Sequence, residues 1–272
     1  MEYKRIWAAY FSATGTTEKV VQAVAEELAA RLGGDINIFD FTLPAARREA
    51  KSFEAGDLVV FGTPVVAGRV PNVLLKYLDT ILGNGALAVP VVLYGNRNYD
   101  DALIELRNIL EKGGFHTIAA GAFIGEHSFS DVLAKGRPDQ DDLRVARQFA
   151  GDIAQKLTEG GVLQTPVAVN GQEPLRPYYQ PRDRAGNPVN ILKVKPKTSE
   201  DCTGCGTCAA VCPMGSIDSE NPGQLNGICI KCGACIKKCP VHAKYYDDAG
   251  YLYHKTELEL GFERRAEPEL FL

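Results

Sequence analysis

Eight cysteines, all between Cys202 and Cys239, are the residues with the most evident chemistry in this chain of 272. They form two runs of one spacing, Cys202-x2-Cys205-x2-Cys208-x3-Cys212-Pro213 and Cys229-x2-Cys232-x2-Cys235-x3-Cys239-Pro240. Three thiolates at two-residue gaps wrap a corner-rich inorganic cluster and leave one iron to be ligated from elsewhere; in such runs the fourth cysteine reaches the other cluster. The spacing therefore predicts one 4Fe-4S cluster on Cys202, Cys205, Cys208 and Cys239, and a second on Cys229, Cys232, Cys235 and Cys212. Zinc is the competing reading, since C-x2-C pairs also build tetrahedral zinc sites. Zinc knuckles have no use for a third cysteine at the same gap and a fourth followed by proline, duplicated.

Over residues 198–246 the sequence resembles the bacterial-type two-cluster ferredoxin, although its charge is balanced where many ferredoxins are strongly acidic. A second constellation lies near the start: Ser12-Ala13-Thr14-Gly15-Thr16-Thr17, between a strand-like run and a helical pattern. Backbone amides at a helix N-terminus favour a phosphate, and the hydroxyls add donors without a cation. No lysine stands where a nucleotide-triphosphate loop requires one, so the loop suits a single phosphate monoester.

The elements that must position these residues follow from periodicity. Strand-like runs occur at residues 5–11, 36–41, 58–62, 89–94 and 115–124, with a helical pattern after Thr17 that Gly33-Gly34 ends and helical stretches over about 71–82, 101–112 and 140–158. Strands alternating with helices give right-handed crossovers and a parallel sheet covered on both faces. Residues 161–197 are rich in proline and basic residues, with one strand-like piece at 189–194, and read as a connector laid on a surface because Leu175, Tyr178, Tyr179 and Ile191 suit no solvated linker. A last helix is expected around 252–265, and the closing Glu-Leu-Phe-Leu is too short to interpret. The chain thus divides into 1–160, a connector 161–197, and 198–272.

The segment Tyr10 to Thr17 and the five-strand alternation resemble flavodoxins. That resemblance implies an α/β, doubly wound five-stranded parallel sheet of order 2-1-3-4-5 with FMN at its switch point, beside a smaller two-cluster ferredoxin-like α+β domain. It also implies that two loops hold the isoalloxazine ring, here Thr63-Pro64-Val65-Val66-Ala67-Gly68-Arg69 and Gly95-Asn96-Arg97-Asn98-Tyr99-Asp100. Gly68 would turn its peptide toward the flavin, the second loop would offer amide donors, and Tyr99 would stack. Trp7, in the first strand, reads as core, and His127 as a surface histidine. Asp100 or Asp101 reads as a cap for the following helix.

Length and composition agree with two globular modules. The chain is 45% hydrophobic and 24% charged, with 34 acids against 30 bases, which excludes a disordered tail and a strongly basic nucleic-acid binder. No apolar run approaches a membrane span, and no secretory pattern opens the sequence, so a cytoplasmic protein is expected. The whole resembles a flavodoxin-ferredoxin fusion flavoprotein family, implying low-potential electron transfer between FMN, two 4Fe-4S clusters and a redox protein partner. Direct reduction of a small acceptor such as a quinone, and an iron-sulfur redox sensor, are the alternatives.

Overall fold

The computed structural model describes residues 5–160 and 165–272. Residues 1–4 of the first module and 161–164 of the connector lie outside the described residues. The strands are β1 (Arg5–Tyr10), β2 (Asp35–Asp40), β3 (Asp57–Pro64), β4 (Leu87–Tyr94), β5 (His116–Thr117) and β6 (Ala120–Ile124). All pair in parallel in the order β2-β1-β3-β4, with β5 and β6 both on the far side of β4. The expected fifth strand is thus present in two pieces, and the order 2-1-3-4-5 holds.

Helices α1 (Thr16–Leu32) and α4 (Gln140–Thr158) cover one face, packing Val20, Val24, Leu28, Phe149 and Ile153 against Ile6, Ala8, Val60 and Val91. Helices α2 (Asn72–Leu78) and α3 (Ala102–Lys112) cover the other, with Leu74, Leu103 and Leu106 against Ala9, Phe61 and Val92. Strands β3 and β4 are buried on both faces, which is why their sequences are continuous apolar runs rather than alternating ones. Trp7 packs edge-on against Phe53 with the Lys51 ammonium 4.0 Å from its ring, on the margin of the core.

Four sequence expectations are corrected. The sheet has a sixth position: after β7 (Lys197–Thr198) and β8 (Lys244–Tyr245), which pair only with each other, β9 (Glu269–Phe271) runs antiparallel to β6. Three residues give no readable alternation, so this strand is legible only from its partner. The helix expected over 71–82 stops at Leu78, because the Leu82 amide turns to the Lys51 carbonyl at 3.0 Å. Residues 189–194 form no strand; a turn closes there from the Val194 amide to the Ile191 carbonyl at 3.1 Å. The last long helix begins and ends earlier than expected, after two short turns, α5 (Thr207–Ala210) and α6 (Ala234–Lys237): α7 spans Ala249–Gly261, capped by Asp248 accepting the Tyr251 amide at 2.8 Å.

Gly62 lets α1 lie directly on β3. A Cβ there would collide with Val21 Cγ2 and come within 2.9 Å of Thr17 Cγ2, at the start of α1. Gly62→Ala is expected to lower stability by about 1–3 kcal/mol in chemical denaturation, through overpacking; an unchanged midpoint would mean that the helix yields freely at that contact.

Candidate functional site

The loop after β1 is held by its first residue. The Ser12 amide donates to Thr42 Oγ1 at 2.7 Å, and Ser12 Oγ accepts the Glu18 amide at 3.0 Å. Gly15, at φ 90°, turns the chain into α1, and the Ser12 hydroxyl takes up one amide of its first turn, that of Glu18. Among the described residues, the amides of Thr14, Gly15, Thr16 and Thr17 have no acceptor within the protein. Four free N–H groups at the positive end of a 17-residue helix form a cradle for an anion. The six residues expected to bind phosphate are thus brought together.

The two expected ring loops are adjacent, but several of their side chains are committed elsewhere. Thr63 lies at the end of β3 with its hydroxyl buried and without a partner. Pro64 ends that strand, and the Val65 amide donates to the Leu93 carbonyl at 2.7 Å. Gly68 packs so closely on Asp100 that a Cβ would meet its carboxylate. Arg69 is paired with Glu105 at 2.6 Å and lies over the Tyr178 ring. Arg97 is paired with Asp100 and sits 4.4 Å from the Tyr179 ring centre.

The side chains of Asn96 and Tyr99 are engaged away from the expected ring position. The Asn96 side chain donates to the carbonyls of Phe262 at 2.6 Å and Arg264 at 2.7 Å and accepts the Ala266 amide at 3.2 Å, so it fastens the C-terminal segment. Tyr99 is buried against Tyr94 and donates its hydroxyl to Glu269 at 2.6 Å, so its ring is core rather than a stacking platform. Burial raises its pKa well above the ordinary phenol value. Asp101 is also not a side-chain cap: it is fully buried and accepts the connector amides of Gln172 at 3.0 Å and Arg176 at 2.7 Å.

The cysteines gather into two cavities. One is lined by Cys212, Cys229, Cys232 and Cys235; the other by Cys202, Cys205, Cys208 and Cys239. Each draws its fourth cysteine from the opposite run. All eight are free thiols. Among the described residues no three Cys, His, Asp or Glu side chains are close enough to share a single metal ion. The duplication extends to the backbone: Gly206 at φ 74° and Gly233 at φ 73° open α5 and α6, a left-handed turn that a side chain would strain. The Ser216 amide points at Cys212 Sγ (3.4 Å) as the Ala243 amide points at Cys239 Sγ (3.3 Å).

The cavities differ in surroundings. Burial pushes the Cys232 thiol up to about 11 and the Cys235 thiol up to about 12, whereas the exposed Cys205 is lowered by the Thr207 hydroxyl. The first cavity lies against the α/β module. Ala234 belongs to the same apolar cluster as Phe11 and Ala13, with Cys232, Val211 and Val65 packed on it. A Cβ on Gly233 would come within 2.5 Å of the Ser128 carbonyl, Lys237 pairs with Glu126, and Arg47 donates to the Pro213 carbonyl at 2.6 Å.

His127, for which the sequence favours a surface histidine over a role near the cofactor edge, is closely packed. It follows β6, and a Cβ on Gly95 would strike its ring. Desolvation lowers its pKa to about 4, with His254, Lys237 and Arg97 adding in the same direction. A histidine without a motif gives no sequence signal; only the glycine beneath it hints at a close neighbour.

Residues 8–111 match the model of a flavodoxin domain, and residues 201–244 that of a 4Fe-4S dicluster domain. The chain therefore joins the two in one polypeptide, and these domains carry FMN and iron-sulfur redox chemistry. Among solved structures it is similar to a flavodoxin of Streptococcus pneumonia TIGR4, 18% identical over 56% of this chain and 98% of that one, with a TM-score of 0.38. It is also similar to Fusobacterium nucleatum flavodoxin bound to flavin mononucleotide, 17% identical over 58% and 98%, TM-score 0.37. Oxidised flavodoxin 1 from Bacillus cereus is 16% identical over 56% and 97%, TM-score 0.38. No curated protein matches the sequence. Among the described residues no helix is long and apolar enough to cross a membrane.

A histidine of depressed pKa stabilises the fold as the neutral imidazole. That contribution is complete above the unfolded value of 6.5 and is lost as pH falls from there through about 4. NMR titration is expected to keep His127 neutral at pH 5.5, and His127→Gln to flatten the acid limb of the stability curve; a His127 midpoint near 6.5 would show the ring to be solvated.

Proposed function

We propose that this chain, in which a flavodoxin domain and a 4Fe-4S dicluster domain are joined, is a low-potential electron-transfer protein carrying one FMN and two 4Fe-4S clusters, and that it exchanges electrons with a redox protein partner. The observation that carries the reading is the crossed grouping of the cysteines into two cages of four, one of them packed on the flavodoxin module. Bound here, FMN supplies paired or single electrons and each cluster one.

The residues present fit both groups. The free amides of Thr14 to Thr17 would hold the FMN phosphate, with Ser12 and Ala13 shaping the loop. The unpartnered Thr63 hydroxyl, Pro64, Val65, Gly68 and Gly95 would border the ring, while Arg69, Asn96, Arg97, Tyr99 and Asp100 hold those loops in place. Cys202, Cys205, Cys208 and Cys239 would ligate one cluster, and Cys212, Cys229, Cys232 and Cys235 the other. The duplicated run of three cysteines at two-residue gaps, with a fourth followed by proline, favours a cluster over zinc. Reduction of a free quinone draws less support, because the connector crosses the turn bordering the ring, with the Tyr179 amide on the Ala67 carbonyl at 2.8 Å.

Anaerobic purification should give a brown protein with about eight irons and one FMN per chain; a colourless zinc protein would end the assignment. Cys212→Ser tests the crossing: it should remove about four irons and leave the cage on Cys202, Cys205, Cys208 and Cys239 intact, whereas loss of that cage alone would support ligation within each run. Thr14→Ala combined with Thr16→Ala should weaken FMN retention about tenfold with iron content unchanged; loss of iron with FMN retained would mean that the loop serves another purpose.

A further inference from the structure

The backbone donors to the cysteine sulfurs are matched between the two cages, but the side-chain donors are not. Tyr246, which follows β8, places its hydroxyl 3.7 Å from Cys229 Sγ and lines the cavity of Cys212, Cys229, Cys232 and Cys235. A cysteine sulfur bound to iron carries no proton, so in that state the tyrosine is the donor. The other cage has the hydroxyl of Thr207, 3.3 Å from Cys205 Sγ, in the exposed part of the chain where water competes for the same sulfur.

Tyr246 is held in register by a column of rings. Its centroid lies 4.1 Å from that of Tyr251 in α7; Tyr251 lies 4.7 Å from Phe129, and Phe129 5.2 Å from His127, which rests on Gly95 in the second ring loop. A side branch runs from Phe129 to His254 at 6.2 Å and on to Tyr179 at 6.0 Å, which stacks on Arg97. The column therefore reaches from Cys229 to the loops expected to border the flavin.

We propose that Tyr246 is the positioning residue that sets the two cages apart, its hydroxyl donating to Cys229 Sγ and raising the reduction potential of the cage on Cys212, Cys229, Cys232 and Cys235, with Tyr251, Phe129 and His127 holding it against the flavodoxin module. A hydrogen bond to a cluster sulfur stabilises the more negative, reduced state, and does so most where water is excluded. This inference rests on the proposed cluster assignment but asks for more than it: an inequality between two cages that the cysteine spacing makes identical.

The test is a redox titration of the full-length anaerobic protein followed by electron paramagnetic resonance, with iron and FMN measured in each sample. Tyr246→Phe is expected to keep both cofactor counts and to move one cluster's midpoint to more negative potential, lowering its equilibrium constant for reduction roughly tenfold. The other midpoint should stay fixed. In a Cys212→Ser background the shift should vanish. Incorporation of 3,5-difluorotyrosine at position 246, a stronger donor of nearly the same shape, should move the same midpoint in the positive direction and serves equally well if the phenylalanine variant folds poorly. Unmoved midpoints, equal movement of both, or a shift that survives Cys212→Ser would overturn the role of Tyr246 while leaving the electron-transfer reading intact. A wild-type protein without cluster signals would overturn that reading, and this inference with it.

Discussion

The pairing of β9 with β6 is the constraint on which the rest of the arrangement depends. Ala120, Gly121 and Ala122 face Phe271, Leu270 and Glu269, so the segment that leaves the sheet after β6 returns to it at β9. Everything between is an excursion closed at both ends, and closure removes most of the freedom that a tethered module would have. Arg137, buried with Asp142, adds to the closure by donating to the Ala266 carbonyl at 2.7 Å. The cysteine module therefore needs only a modest direct interface: Arg47 to Pro213, Lys237 to Glu126, and the packing of Ala234 and Cys232 on the apolar cluster.

Within that closed excursion, duplication and asymmetry come from different levels. The repeat imposes backbone shape. Where the first run has Gly204 at φ 70° and Gly215 at φ 58°, the second has Lys231 at φ 56° and His242 at φ 53°, so the left-handed conformation is kept although the glycine is not. Docking imposes the difference. The run that packs on the flavodoxin module half-buries Cys232, while its counterpart Cys205 in the other run stays exposed; Cys235 and Cys208 are buried alike. Two cages of one design thus acquire unlike surroundings from their position alone, and water near one but not the other makes a single phenol or hydroxyl count unequally.

This separation explains how much was legible in the sequence. Cysteine spacing, the Ser12 to Thr17 turn and the alternation of apolar runs are local patterns, and from them the parallel sheet and both candidate sites can be read; the strand order is what the resemblance to flavodoxins implies. The Asn96 and Tyr99 roles could not be read in that way. Their partners lie at Phe262 to Ala266 and at Glu269, more than 160 positions away, in a segment with no periodicity of its own. Buried polar side chains must find hydrogen bonds somewhere, but sequence does not say where. His127 shows the same limit: its close packing comes from Gly95 and Phe129, neither of which marks a histidine as special.

The connector shows which of its contacts decide its course. Its basic residues suggest a strip for acidic partners, yet Arg176 meets Asp101, Arg184 meets Glu257 and Lys197 meets Asp247. Arg184–Glu257 and Lys197–Asp247 lie at the surface, where screening and side-chain entropy leave each pair little to contribute. Asp101 is different because it is fully buried. A carboxylate without water requires donors, and the amides of Gln172 and Arg176 supply them only if the connector crosses α3 at that point. Once it does, Tyr178 reaches the Val70 carbonyl and the Tyr179 amide the Ala67 carbonyl, so the path over the first ring loop follows from one buried acid and not from the charge of the strip.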